Sequence, residues 1–408
     1  MRSTTVVRRL LGVMSLFINS VNFESRGLVA RVRPQWRKPR CGLCGRPAPR
    51  YDRLPGRRWR HLNHGRERIW LVYAPRRVEC PTCGIHSEQV PWAPHGSRFT
   101  WDFEELVAYM AQVSDRTSVT KFMGIAWRTA GAIVERVVAR KLDPERLDNL
   151  RNIGADEFSY RRRHRYITTV VDHDRKRVVW AAKDRTSDTL EAFFDELGEE
   201  RCAKIECATI DMSTSYIKAI EARLPNAQIV YDRFHVQRLA SDALDEVRRA
   251  QLREIRGTDE GRELFKSRFA LLKNPWNLTR MEKEKLKDLQ RTNARIYRAY
   301  LLKESLAKAL DYLQPWRAER ALRKWLAWAS RSRLKPFVKV ARTIRKHLDG
   351  ILAYFQARLT NGRVEGINNR LRMIARRAFG FHSAEALISM LFLCNGGITL
   401  DPALPSPT

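Results

Sequence analysis

The sequence predicts an α/β chain in which a strand-rich core is interrupted by an all-helical insertion and preceded by a small cysteine-bearing module and a helix-turn-helix. Three observations predict it. Two Cys-x2-Cys pairs stand in the first hundred residues, short β-branched runs alternate with helical ones from Arg151 to Tyr231, and a long Arg- and Lys-rich helical pattern follows from Leu239 to about Ile344.

Composition narrows the partner before any motif is read. The 77 Lys and Arg against 45 Asp and Glu give +32 over 408 residues, enough to attract phosphate backbones non-specifically. The first hundred residues carry about 20 basic and about 5 acidic side chains, an asymmetry of nucleic-acid-binding modules. With 44% hydrophobic residues the chain can bury substantial cores, which excludes a disordered tail. No apolar run approaches the roughly 18 residues of a membrane helix. Leu10 to Val21, behind Arg8 and Arg9, superficially resembles a leader core, but it continues into Asn22-Phe23-Glu24 without a small-x-small pattern. A cytoplasmic, nucleoid-associated protein is therefore expected.

Cys41-Gly42-Leu43-Cys44 and Cys80-Pro81-Thr82-Cys83 are two knuckles whose two-residue spacers let each thiolate pair grip one tetrahedral ion. Together Cys41, Cys44, Cys80 and Cys83 predict a Zn²⁺ site, and the scattered Cys202, Cys207 and Cys394 fit a reducing compartment. Between the knuckles, Arg57 to Arg77 predicts a strand pair hung from the metal. His61, His64, His86 and His95 are alternative ligands that four thiolates make unnecessary.

From Trp101 the spacing turns helical, with Phe103, Leu106, Val107 and Met110 on one face. Ser118 to Thr129 then reads as helix, glycine turn and next helix, so that Ala126 to Arg140 would present Trp127, Arg128, Thr129 and Arg136 to DNA. Plain helical bundles contain such turns too; the adjoining basic cysteine module favours the DNA reading.

Strands are predicted at Ile153 to Tyr160, Tyr166 to Asp172 and Arg177 to Ala182, then a helix at Thr186 to Leu197, a strand at Lys204 to Ile210, a helix at Ser213 to Leu224 and a strand at Gln228 to Tyr231. That order is the order of a ribonuclease H-like core. Asp156 falls on the first strand and Asp211 just past the fourth, adjacent in the middle of such a sheet. Carboxylates are the hard ligands that Mg²⁺ or Mn²⁺ takes, and two such ions can stabilise the entering and leaving oxygens of phosphoryl transfer. Glu365, on a helix predicted to open near Thr360, is the best third acid, with Asn361 a turn before it and Asn368 and Asn369 a turn after. Taken singly, each acid also reads as a solvated charge or a cap. Glu157 should point to the opposite face of its strand.

On these residues the chain resembles the insertion-sequence DDE transposases of the ISL-three (ISL3) family. The matching stretches are the two knuckles, Gly154-Ala155-Asp156-Glu157-Phe158, Thr209-Ile210-Asp211-Met212-Ser213 with Tyr216, Leu224-Pro225-Asn226-Ala227, Tyr231-Asp232-Arg233-Phe234-His235-Val236 and Asn361-Gly362-Arg363-Val364-Glu365-Gly366-Ile367-Asn368. The resemblance implies that Asp156, Asp211 and Glu365 are a catalytic triad and that Asp232 and His235 form an Asp-x2-His signature. For the latter pair, a helix N-cap and a packed histidine remain the structural alternative.

The helical region between the last core strand and Glu365 matches the layout of transposases with a large insertion. Trp276, Trp316, Trp325 and Trp328 are candidates to stack on a flipped base, or else core residues. Arg370, Arg372, Arg376 and Arg377 form either a phosphate-tracking helix or a solvated face. The expected division is a zinc-binding module at 1–96, a helix-turn-helix domain at 97–148, a first core part at 149–239, the insertion at 240–344 and a second core part at 345–400. The resulting expectation is a prokaryotic transposase that binds terminal repeats and target double-stranded DNA, cuts and joins strands, and works as a homodimer or larger assembly without a membrane. A zinc and helix-turn-helix regulator with an inactive core is the rival, and a nuclease without a joining step is another.

Overall fold

In the computed structural model the described residues are 3–13, 15–161, 165–357, 366, 369–371, 373–374 and 383–402. They form two compact units, one made of the described residues up to Leu142 with those from Phe392 onward, the other of those between.

The first unit opens with α1 (Ser3–Leu11), β1 (Leu16–Glu24), β2 (Gly27–Pro34), β3 (Arg50–Arg53), β4 (Arg57–His64), β5 (Glu67–Tyr73), β6 (Arg76–Cys80) and β7 (Gly84–Ser87). They make a four-stranded sheet in the order β1-β2-β5-β4 and a three-stranded sheet in the order β3-β6-β7. The leader-like run is thus in large part an antiparallel hairpin strand, β1 against β2. The strand pair expected to hang from the metal is real as β4 and β5, but it belongs to the larger sheet through a parallel β2–β5 pairing. The second knuckle lies instead at the β6–β7 turn, where Cys80 pairs with Gly84. Leu16, Trp59, Leu71 and Trp92 pack the core of the larger sheet, with the two indoles edge to face at 5.6 Å.

The helices α2 (Trp101–Val113), α3 (Arg116–Met123) and α4 (Trp127–Lys141) complete that unit. Thr100 caps α2 and Asp115 caps α3 by accepting backbone N–H bonds, which satisfies donors that a helix start leaves open. Gly124, with φ 62°, ends α3 in the left-handed region where a side chain is unfavourable. Arg128 stands exposed at the start of α4, with Trp127 and Thr129 half-buried beside it. Arg136, a DNA-contact candidate in the sequence, donates its guanidinium to the fully buried Glu104 at 2.9 and 2.6 Å. Ser97 also donates to that carboxylate at 2.7 Å. A buried charge needs such partners, so the arginine is turned inward to hold α4 on α2.

The second unit is built on β8 (Asn152–Arg161), β9 (Arg165–Asp172), β10 (Arg177–Lys183), β11 (Cys207–Ile210) and β12 (Gln228–Tyr231), in the order β10-β9-β8-β11-β12. The first three strands are antiparallel neighbours, and β11 pairs in parallel with both β8 and β12. Between them run α5 (Ser187–Leu197), α6 (Glu199–Cys202) and α7 (Thr214–Arg223). Phe193, Phe194, Tyr216 and Ile220 pack with Ile153, Ala155 and Ala208 of the sheet.

Helices α8 (Arg233–Glu254), α9 (Asp259–Lys266), α10 (Arg268–Leu272), α11 (Arg280–Thr292), α12 (Ala294–Leu310), α13 (Pro315–Ser330), α14 (Lys335–Lys346) and α15 (Leu348–Ala357) follow, and α16 (Ala384–Asn395) comes last. Pro315 and Pro336 sit in the first turns of α13 and α14, where proline's missing N–H costs nothing. Trp325 is a core residue, 3% exposed and donating to the Leu302 carbonyl, which removes it from the stacking candidates. Trp276, Trp316 and Trp328 remain exposed. Among the described residues no helix is long and apolar enough to cross a membrane.

Candidate active site and cysteine cluster

The parallel pairing of β8 and β11 aligns Gly154 with Thr209. Two residues further along, the same register brings Asp211 level with Asp156 and onto the same face, because side chains alternate along a strand. The β11–β12 pairing aligns Ile210 with Tyr231, which brings Asp232 level with Asp211. Three aspartates therefore stand abreast on adjacent strands. They line one small cleft with His235, floored by Gly154, Val171 and Thr209.

Backbone N–H groups orient these carboxylates. Asp156 Oδ1 accepts from Glu157 N at 2.8 Å, Asp211 Oδ1 from Ser213 N at 2.9 Å and Asp232 Oδ1 from Phe234 N at 2.9 Å. The last bond makes Asp232 the N-cap of α8, so the capping alternative holds while the residue also faces the cleft. His235, in the first turn of α8, brings Nε2 to 4.0 Å from Asp156 Oδ1. The alternating pleat turns Glu157 to the opposite face, where Arg185 is 3.4 Å away. Burial, followed by the Asp211 charge, pushes the Glu157 carboxyl above its ordinary pKa.

The floor contains a buried histidine that the motifs do not single out. His173 is buried and bonded through Nε2 to Thr209 Oγ1 at 2.6 Å, and burial drives its pKa down to about 4. A Cβ at Gly154 would stand 2.6 Å from both atoms of that bond. Gly154→Ala is therefore expected to destabilise the protein by about 1–3 kcal/mol, the usual range for overpacking. Chemical denaturation checks this, together with strand-joining activity, which should fall as the Asp156 strand shifts.

Glu365 and Arg376 lie outside the described residues. Arg370 is helical and exposed, while neighbouring Leu371 and Ile374 are buried.

In the first unit the Sγ atoms of Cys41, Cys44, Cys80 and Cys83 all lie within 4.8 Å of one another, with Cys44 and Cys80 at 3.6 Å. Zn–S bonds of about 2.3 Å in a tetrahedron require sulfurs about 3.8 Å apart, so the four thiols fit that ion. N–H groups of Thr82 and Cys83 lower the Cys80 pKa to about 7, favouring the thiolate that a metal binds. Among the described residues this is the only such group of three or more potential ligands. The histidine alternatives do not join it. His61 is bonded to Thr100 and to the Leu11 carbonyl, its pKa driven down to about 4 by burial. His86 bonds the Cys83 carbonyl, His95 lies over Gly42 and His64 is exposed.

Residues 153–391 match an ISL3-type DDE family described as transposase, and residues 88–138 match the helix-turn-helix domain of transposase family ISL3. The transposase for insertion sequence element IS1557 of Mycobacterium tuberculosis is 39% identical over 99% of this chain and 98% of its own length. The transposase for insertion sequence element IS1001 of Bordetella parapertussis is 31% identical over 88% and 89% respectively.

Proposed function

This chain belongs to the ISL3 family of insertion-sequence transposases, and on that premise we propose that it binds the terminal inverted repeats of its element and cuts and joins DNA at the Asp156–Asp211 cleft. The observation that carries the reading is the strand register that sets these carboxylates level in one cleft. We read the five-stranded sheet with its helices as a ribonuclease H-like core and the helices from α8 to α14 as its insertion.

Asp156 and Asp211 fit a hard divalent cation: each has one oxygen held by a backbone N–H, in a cleft they share with Asp232 and His235. Bound Mg²⁺ or Mn²⁺ would supply the acidity that activates water and the charge that stabilises the entering and leaving oxygens. Glu365 is the third carboxylate on this reading. Asp232, by capping α8, fixes the direction of His235, which would position the scissile phosphate. Trp127, Arg128 and Thr129 would contact bases and backbone at the element end, and Arg370 and Arg376 the phosphates near the cleft. The four cysteines would hold Zn²⁺ as a structural tie. Hydrolysis frees a 3′-hydroxyl, which attacks a target phosphate, and bringing two ends together calls for a homodimer or larger assembly.

The test is a strand-transfer assay with purified protein and labelled duplex carrying the repeats that flank the gene, with and without Mg²⁺. Joined product that needs the metal is expected. Binding without any cutting would identify a regulator instead, and cut but unjoined DNA a nuclease.

A further inference from the structure

The first unit contains a cavity of about 450 Å³ whose described lining includes none of the four clustered cysteines and draws on residues of both sheets. Arg31 and Arg33 alternate with buried neighbours along β2, Arg37 follows that strand and Arg53 ends β3. All four guanidinium groups belong to residues that line the cavity, together with Trp36 and Tyr73. Among the described lining residues there is no carboxylate.

Several other arginines of this unit are held by carboxylates. Arg58 meets Glu24, Arg76 meets Glu88, Arg77 meets Asp52 and Arg136 meets Glu104. Arg76 also lines the cavity, but Glu88, whose side chain is fully buried, binds it through both oxygens. Among the described residues Arg31, Arg37 and Arg53 have no ion pair, and Arg33 rests over the Phe17 ring at 4.4 Å. Like charges thus converge on a concavity whose described lining holds no carboxylate. Such an arrangement is relieved by an anion from outside, and the planar guanidinium fork matches phosphate.

We propose that this arginine-lined cleft binds the sugar-phosphate backbone of duplex DNA, as a second contact that adds affinity without reading sequence. The inference rests on the DNA-binding function above, although not on which sequence the protein prefers. Each phosphate contact releases counterions and contributes about 0.9 to the slope of log K against log salt.

The test uses the full chain carrying R31Q, R37Q and R53Q together, titrated with fluorescent duplexes of terminal-repeat and random sequence across a range of NaCl. The slope should become shallower by about 2 to 3 on both duplexes alike, with zinc content and thermal midpoint unchanged. R37Q alone, outside any strand, should lower it by about 0.9 and guards against misfolding of the triple variant. Unchanged slopes would overturn the site and leave the arginines to an acidic protein surface. Failure of wild-type protein to bind random duplex at low salt would overturn it as well. A wild type that binds both duplexes equally would instead defeat the terminal-repeat reading while leaving the cleft intact.

Discussion

Asp156→Ala and Asp211→Ala should each lower strand transfer by about 10³-fold or more, while terminal-repeat binding stays unchanged. Losing several kcal/mol of metal-centred charge stabilisation corresponds to a rate effect of that order. Neither residue is part of the hydrophobic core: Asp156 retains 20% of its side-chain exposure, and the surrounding sheet is held by strand pairing and by Ile153, Ala155 and Ala208 on the other face. The helix-turn-helix belongs to the other unit, so binding and chemistry should separate cleanly. Asp156→Asn is the sharper variant, because its amide oxygen can still accept the Glu157 N–H while the negative charge is gone. Loss of joining in that variant would attribute the effect to charge. Persistent joining by either alanine variant would mean that the reacting phosphate sits elsewhere.

The strand and helix order of the core was legible because its β-branched runs are short and punctuated by turn residues such as those at 173–176 and at Pro225-Asn226. Asp156 and Asp211 stood out as acids at strand positions in a basic chain. Their adjacency followed from the order of elements, whereas the register that sets them level lies between segments more than fifty residues apart and is set by the packing of whole strands. The same long-range dependence hid the β2–β5 pairing and led the β4–β5 pair to be assigned to the metal. For Arg136 and Trp325 the sequence leaves the role open for another reason. A charge or an indole on a helix shows its chemistry in sequence, whereas the partner that turns it inward, Glu104 or the Leu302 carbonyl, comes from a different helix. The bond between His173 and Thr209 has no counterpart in the sequence pattern, although Thr209 stands in the stretch around Asp211. Glu365 rests on the sequence and on family membership, being outside the described residues.

Chelating the zinc proposed at the cysteine cluster should unfold the β3-β6-β7 sheet and weaken DNA binding, with the five-stranded core left folded. The reason is how little else holds that sheet. Its buried apolar cluster consists of Cys41, Ala48, Val78 and Cys80 with Cys83 against it, and β3 and β7 have only four residues each. A three-stranded sheet with so small a hydrophobic face is marginal by itself, whereas structural zinc contributes roughly 10–16 kcal/mol in small zinc-binding peptides. The surface pair Arg77–Asp52 adds little by comparison. Metal analysis should therefore find zinc bound through the four thiolates, and Cys80→Ser or a strong chelator should remove it. Hydrogen exchange should then lose protection in β3, β6 and β7 but keep it in β8, β9 and β11. Because Arg53 ends β3, the same treatment should also reduce the salt dependence of any residual DNA binding. Retention of protection in that sheet after complete chelation would show that its hydrogen bonds and arginine pairs suffice, and the cysteines would no longer account for the fold of the module.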